Sequence, residues 1–149
     1  MTATPLREHW WGCAAALEDR IRTLLPAGWR VTQSKDLAGI LDQAQQVDTV
    51  HLVPLGTAVV QSNARGAIST MTQRWGLVFA VAAAGDLTGA RQRDRAGPVI
   101  PTVLTGLMGW SPQAGWGPLS LAAAPGADVA TESFAYYPFA FEVTAVLTA

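Results

Sequence analysis

The chain has 149 residues, the usual size of one domain, and its formal net charge of −1 excludes the basic field that non-specific nucleic acid binding needs. Half of the residues are hydrophobic and only 14% are charged, against about a quarter in an average globular chain, which indicates a charge-poor surface suited to protein partners or simply an alanine-rich soluble domain. A lone cysteine, Cys13, excludes an internal disulfide and a thiolate zinc cluster, and the lack of a long apolar run disfavours an export signal or a membrane span.

The start of the chain is predicted to form two helices with a short strand between them. Apolar residues recur at three- and four-residue spacing from Leu6 to Leu25, which predicts a long amphipathic helix that residues 26–28 end. Residues 29–32 predict a strand, after which Ser34 is expected to cap a shorter helix. The apolar residues of that helix are Leu37, Ile40, Leu41 and Ala44.

Two strands separated by a polar loop are predicted next. Residues 49–55 are rich in β-branched side chains and predict a strand with Pro54 near its end. A loop is predicted over residues 61–66. Strict alternation from Met71 to Val81 then predicts the clearest strand of the chain, with one mostly apolar face.

The second half of the chain predicts a loop, a helix and two strands. Residues 85–97 are predicted to be a charged loop, and Pro98 to start a third helix that Gly109 ends. A short strand is expected over 119–123, a loop around 125–128, and a final one-sided strand from Tyr137 to Leu147. This order predicts an α+β fold, with an antiparallel or mixed β-sheet and helices packed on one face, in a single domain spanning residues 1–149.

Catalytic and metal-binding patterns are not evident in the sequence. His9 and His51 have no flanking motif, and we expect the first to be solvated and the second to lie on the sheet surface. The carboxylates Glu132 and Glu142 are interpreted as solvent-facing, and the single lysine, Lys35, follows no glycine-rich phosphate loop. We therefore predict no enzyme activity, no metal and no cofactor.

Two groups of side chains are candidates for a subunit contact. Arginine–carboxylate pairs across a subunit boundary fix register well, whereas a solvated loop or a DNA contact would use the same charges. The arginines of the predicted loop are Arg91, Arg93 and Arg95, beside Asp86 and Asp94. Trp110 and Trp116 are flanked by glycine and proline and could face a partner, whereas Trp10 and Trp75 occupy apolar positions and are predicted to be core.

Four patterns follow one another along the chain, namely the first helix ending at residues 24–26, the strand over 73–81, the helix over 96–110 followed by Pro112, and the closing strand that begins at residues 136–138. In this order they resemble phage tail terminator proteins, the group that includes the terminators of Mu-like phages. Each is a packing pattern, and together they span nearly the whole chain.

The resemblance implies a structural protein of the virion that forms a hexameric ring on the last ring of the tail tube. The ring would stop tube polymerisation and present a surface to head-completion or connector proteins, with genome DNA passing through it but not specifically bound. It implies a location at the head-proximal end of the tail, assembly in the host cytoplasm, no membrane contact, no cofactor and no catalysis. A tail-completion protein, a connector, a tail-tube subunit and a small ligand-binding domain or enzyme are the alternatives.

Overall fold

The computed structural model describes residues 2–42, 48–131 and 133–149, and of residues 41 and 42 it describes the backbone only. The predictions for Leu41, Ala44 and Glu132 therefore lie outside what is described. The helices are α1 (Ala14–Leu24), α2 (Leu37–Asp42), α3 (Ala90–Ala96) and α4 (Val99–Leu107). The strands are β1 (Arg30–Gln33), β2 (Thr49–Ser62), β3 (Ile68–Ala82), β4 (Ser120–Ala122), β5 (Val129–Ala130) and β6 (Phe134–Thr148).

The six strands form one mixed sheet in the order β1-β2-β3-β6-β4, with β5 also paired to β6. β1 is parallel to β2, and the other pairs are antiparallel. The pairing of β3 with β6 is unbroken from Ile68↔Thr148 to Ala82↔Phe134. The predicted α+β class with a mixed sheet is confirmed.

The main core lies on one face of the sheet, beneath α1 and α4. Side chains from alternate positions of β3 and β6, among them Phe79 and Phe141, meet Leu17, Ile21 and Val103 there, each at most 1% exposed. A smaller cluster on the opposite face joins Ile40 of α2 to Val53, Val78, Ala80, Phe134 and Tyr136. α1 and α4 thus share one face, as predicted for the helices, while α2 covers part of the other.

The first helix is shorter than predicted because the chain folds back on itself at Gly12. Residues 5–13 form turns, and the N–H of Thr4 donates to the Gly12 carbonyl at 2.9 Å. A Cβ at residue 12 would stand 2.1 Å from the Thr4 oxygen. Leu6 is still buried at 5% exposure, so the apolar spacing predicted the burial of this side chain correctly and its helical conformation wrongly. We call residues 2–12 the N-terminal strap.

The predicted cap of the second helix was wrong. The carboxylate of Asp36, and not Ser34, accepts the N–H of Gly39 at 2.7 Å, which is the geometry of an N-cap. The Ser34 hydroxyl instead contacts Nδ1 of His51 at 2.8 Å.

The predicted end of the second strand near Pro54 was also wrong. β2 continues to Ser62, and its pairing with β3 shifts at Leu55 and again at Val60. Such bulges absorb a residue that does not fit the ladder, and proline is tolerated on an edge strand. The predicted loop over 61–66 is therefore a tight turn after Ser62, where Asn63 Oδ1 accepts the N–H groups of Ala67 and Ile68.

The remaining predictions are mostly confirmed. β1, β3, β4, β6 and α4 lie where the sequence placed them, and Gly109 ends α4 with φ of +75°. Pro101 fits in the first turn of α4, where no intrahelical N–H bond is needed. The segment 85–97, predicted as a loop, holds α3, and β5 was not predicted. No helix of the described residues is long and apolar enough to cross a membrane.

Candidate functional site

The three predicted arginines lie on α3, and two of them are anchored within the subunit. Arg95 donates to the buried carboxylate of Asp48, and Arg91 donates to the Gly85 carbonyl at 2.9 Å. Arg93 is exposed, with its guanidinium beside Gly89. The predicted solvated loop is therefore a helix, and of the three arginines Arg93 is the most available to a partner.

Asp86 holds the start of α3 in place. Its carboxylate accepts the N–H of Gln92 at 3.0 Å and that of Gly89 at 3.1 Å. These bonds, the one from Gln92 first, keep the pKa of Asp86 below its ordinary value. Because these bonds hold the start of α3, they also fix where Arg93 lies on the surface of the subunit.

The two predicted tryptophans have different environments. Trp110 is half-buried under the guanidinium of Arg20, 5.6 Å from the ring centroid, and Arg20 also donates to the Gly106 carbonyl at 3.0 Å. Trp116 is 4% exposed, and its Nε1 donates to the Thr4 carbonyl at 2.8 Å. The expectation that Trp116 faces a partner is corrected, because it packs the N-terminal strap against the core.

Two other tryptophans are exposed in this structure. Trp10, predicted to be core, is 38% exposed and Trp11 is 50% exposed, whereas Trp75 is core as predicted. Trp11 and His9 border a cavity of about 520 Å³ whose other walls include Gln33, Ser34, Pro54 and Trp75. This cavity lies beside β2, just beyond the end of β1.

β2 has an open edge along its second half. β1 pairs with it only as far as Leu52, and within the described residues no strand pairs with residues 56–62 on the side away from β3. Val59 and Val60 on this stretch are 60% and 64% exposed. We call residues 56–62 the β2 edge.

The opposite side of the sheet has a shorter open edge at β4. Leu121 is 47% exposed, and β4 pairs only with β6 among the described strands. We call Ser120–Ala122 the β4 edge. No charged residue lies within Gly56–Ala64 or within Leu119–Ala127, so both edges offer main-chain hydrogen-bonding groups and apolar side chains without charges.

We call the face of the sheet between these edges, beyond the cluster under α2, the bare face, because several of its side chains are exposed. It presents Ala58, Ile68, Thr72, Thr144 and Val146, of which Ile68 is 44% and Val146 55% exposed. The ion pair of Arg74 and Glu142, 3.7 Å apart, borders this area beside a depression of about 260 Å³. A sheet face that contacts water usually carries polar and charged side chains. The small and apolar side chains of this face therefore favour contact with protein.

One of the two histidines is exposed and the other is buried. His9 is solvated, as predicted, and its ring meets the edge of Trp11 at 6.5 Å between centroids. The prediction for His51 was wrong, since it is fully buried and paired with Ser34. Among the described residues no group of three or more His, Cys, Asp or Glu side chains is placed to hold a metal.

His51 should make the stability of the fold pH-dependent. Burial lowers its pKa from the ordinary 6.5 to about 4, so below pH 6.5 the unfolded chain binds more protons than the folded one. The associated stability is fully present above pH 6.5 and is lost as the pH falls toward 4. We expect a loss of about 2 kcal/mol between pH 7 and pH 5.

Urea unfolding at each pH would measure this dependence. His51→Gln should flatten the slope in that interval, and His9→Gln, which changes an exposed ring, should leave it as in the parent protein. An equal slope in the parent and in His51→Gln would contradict the assignment to His51.

Most of the chain is similar to a known protein family. A family model described as Phage tail terminator protein matches residues 11–149. The comparison with curated proteins gave no match. The matched range includes the ten helices and strands of the described residues and leaves out most of the N-terminal strap.

Proposed function

The chain belongs to the phage tail terminator family, and on that premise we propose that it forms a hexameric ring on the last ring of the tail tube. The ring ends tube polymerisation and presents a joining surface to the head-completion or connector protein. Family membership gives the chain a structural role in the phage tail, and the proposal adds the site and the mechanism of that role.

One structural observation carries the proposal. The sheet has two uncharged, partly apolar edges on opposite sides, the β2 edge and the β4 edge. A subunit with different contact surfaces on its two sides associates head to tail, and such contacts close into a ring when the rotation between copies divides a full turn. A cyclic assembly therefore needs no further contact surface.

The proposal also places the protein in the virion and assigns its partners. We propose that residues 1–149 act as one domain at the head-proximal end of the tail after assembly in the host cytoplasm. The partners are other copies of the chain, the tail tube protein and the head-completion or connector protein. Genome DNA passes through the ring without specific recognition, and no cofactor or catalytic step is involved.

Deletion of the gene tests the function directly. Without a terminator the tube has no stop signal, so negative-stain electron micrographs should show tails several times the normal length and few joined particles. Expression of the intact chain from a plasmid should restore tails of normal length.

Other deletion outcomes would support a different protein of the tail. Tails of normal length that fail to join heads would indicate a completion or connector protein, and the absence of tails would indicate a tube subunit. Either result would overturn the proposal. Labelling with an antibody to the chain should mark the head-proximal end alone.

A further inference from the structure

At the level of Leu121 the described part of the sheet is four strands wide and fully antiparallel. Leu121 pairs with Phe141, which pairs with Trp75, which pairs with Pro54. Along this row the strands are β2, β3, β6 and β4, and each runs opposite to its neighbour. β2 and β4, the outermost of the four, therefore run antiparallel to each other.

This arrangement lets the sheet continue from one copy into the next. If copies are placed side by side by a rotation, the β4 edge of one copy faces the β2 edge of its neighbour with strands in opposite directions. Antiparallel pairing is then possible without reversing either subunit. Both edges are uncharged, so the lysines and other charges that proteins place on strand edges to prevent such pairing are missing.

We propose that the subunit contact of the ring is β-strand pairing between the β4 edge of one copy and the β2 edge of the next. The inference rests on the proposed function for its ring and adds the residues that make the contact. Its occupant is a second copy of this chain.

The contact is short, and its length has a structural cause. Pro54 and the irregularities at Leu55 and Val60 interrupt β2, which leaves Gly56–Val59 as the regular part of the β2 edge. The β4 edge has three residues. Such a short ladder is weak between two free subunits and becomes effective when every subunit in a closed ring makes it twice.

Cysteine cross-linking can test the pairing in the full-length protein. Ala58 and Ser120 are exposed and lie on the same face of the sheet, in the rows of Thr72 and Arg74. The native Cys13 is fully buried, and burial raises the pKa of its thiol to about 12, so it gives little background. A mixture of Ala58→Cys and Ser120→Cys proteins, concentrated and treated with a short bis-maleimide, should give covalent dimers.

The controls separate this contact from others. Each single variant alone should stay monomeric on a denaturing gel, and Ala58→Cys mixed with Thr102→Cys, which lies on the exposed side of α4, should not cross-link. A protein with both Ala58→Cys and Ser120→Cys should give a ladder that ends at the copy number of the ring.

Three results would overturn the inference. Dimers from Ala58→Cys alone would mean that two β2 edges meet about a two-fold axis, which cannot build a ring. Rings in micrographs without cross-links between Ala58→Cys and Ser120→Cys would refute the edge contact and leave the proposed function intact. A chain that stays monomeric at all concentrations, without cross-links, would also count against the edge contact. The proposed function is tested separately, by the length of the tails in the deletion mutant.

A charge on one edge gives a second readout. Leu121→Lys should weaken self-association at least tenfold in sedimentation, because the ammonium group must lose water when the edges meet. Leu87→Lys is the matched control, since Leu87 is a fully exposed leucine away from both edges. Equal association of the two variants would contradict the proposed contact.

Discussion

Gly12→Ala should lower the free energy of unfolding by about 3 kcal/mol, from overpacking and one lost backbone hydrogen bond. The new Cβ would stand 2.1 Å from the carbonyl oxygen of Thr4, and a backbone atom cannot move aside as the end of a side chain can. The bond from the Thr4 N–H to Gly12 would break as the N-terminal strap moves away. Ala3 and Leu6 would then lose their buried positions.

Two measurements check this expectation. Chemical denaturation gives the change in stability, and limited trypsin digestion reports the strap, because Arg7 is an exposed cleavage site within it. The variant should be cut at Arg7 faster than the parent. Gly126→Ala is the control, since its Cβ would meet no atom within 4 Å. Parent-like stability and cleavage in Gly12→Ala would refute the close approach of Thr4 and Gly12.

Asp48→Ala should also cost about 3 kcal/mol, because the N–H group of Ala82 loses its acceptor and α3 loses its ion pair to the end of β3. The Asp48 side chain is 6% exposed and joins two elements, since Oδ1 accepts the Ala82 N–H at 3.1 Å and Oδ2 pairs with Arg95 of α3. Removing the carboxylate leaves the end of β3 without this acceptor and releases α3.

Partial substitutions should separate the two roles of Asp48. Asp48→Asn keeps an acceptor for Ala82 and should cost about 1 kcal/mol. Arg95→Ala keeps the bond to Ala82 but leaves the Asp48 carboxylate, which is 6% exposed, without its countercharge, so it should cost about 2 kcal/mol. The expected order of stability in thermal or urea unfolding is parent, Asp48→Asn, Arg95→Ala, Asp48→Ala. A larger loss in Arg95→Ala than in Asp48→Ala would show that the unpaired buried charge costs more than the lost bond to Ala82.

Strands with one apolar face were the most predictable part of the fold. The alternation in β3 and β6 reports directly which side chains enter the core, and both strands were found where it placed them. The apolar spacing of residues 6–25 also identified most of the buried side chains, among them Leu6, Leu17 and Ile21, although Trp10 is exposed. The spacing could not show that residues 5–13 form turns, because these turns depend on the hydrogen bond between Thr4 and Gly12, which forms only in the folded chain.

The errors have two physical causes, which are pairing with another strand and the absence of an apolar pattern. β2 passes Pro54 and Gly56 because β3 is beside it to accept the pairing. α3 escaped prediction because only Gln92 and Ala96 of its seven residues are buried, so it has almost no apolar periodicity. Its start depends on the carboxylate of Asp86, outside the helix.

The candidate contact surfaces were only partly visible in the sequence. The arginines of α3 were identified, but their partners Asp48 and Gly85 depend on the fold. Trp116 was misplaced because glycine and proline neighbours suggest an exposed turn, whereas its indole reaches back to Thr4. An edge strand cannot be recognised before the strand order is known. The uncharged stretch from Thr49 to Ala64 was the available signal for the β2 edge.

The unbroken pairing of β3 with β6 limits how the length of this protein can change during evolution. Since side chains alternate between faces, one residue inserted or deleted in either strand would exchange the core side chains and the bare face beyond that point. Length changes are far less costly in the loop at residues 123–128, since β4 and β5 on either side of it are both held in register by β6. Insertions and deletions that distinguish relatives should therefore be rare within β3 and β6 and should collect in loops outside these two strands.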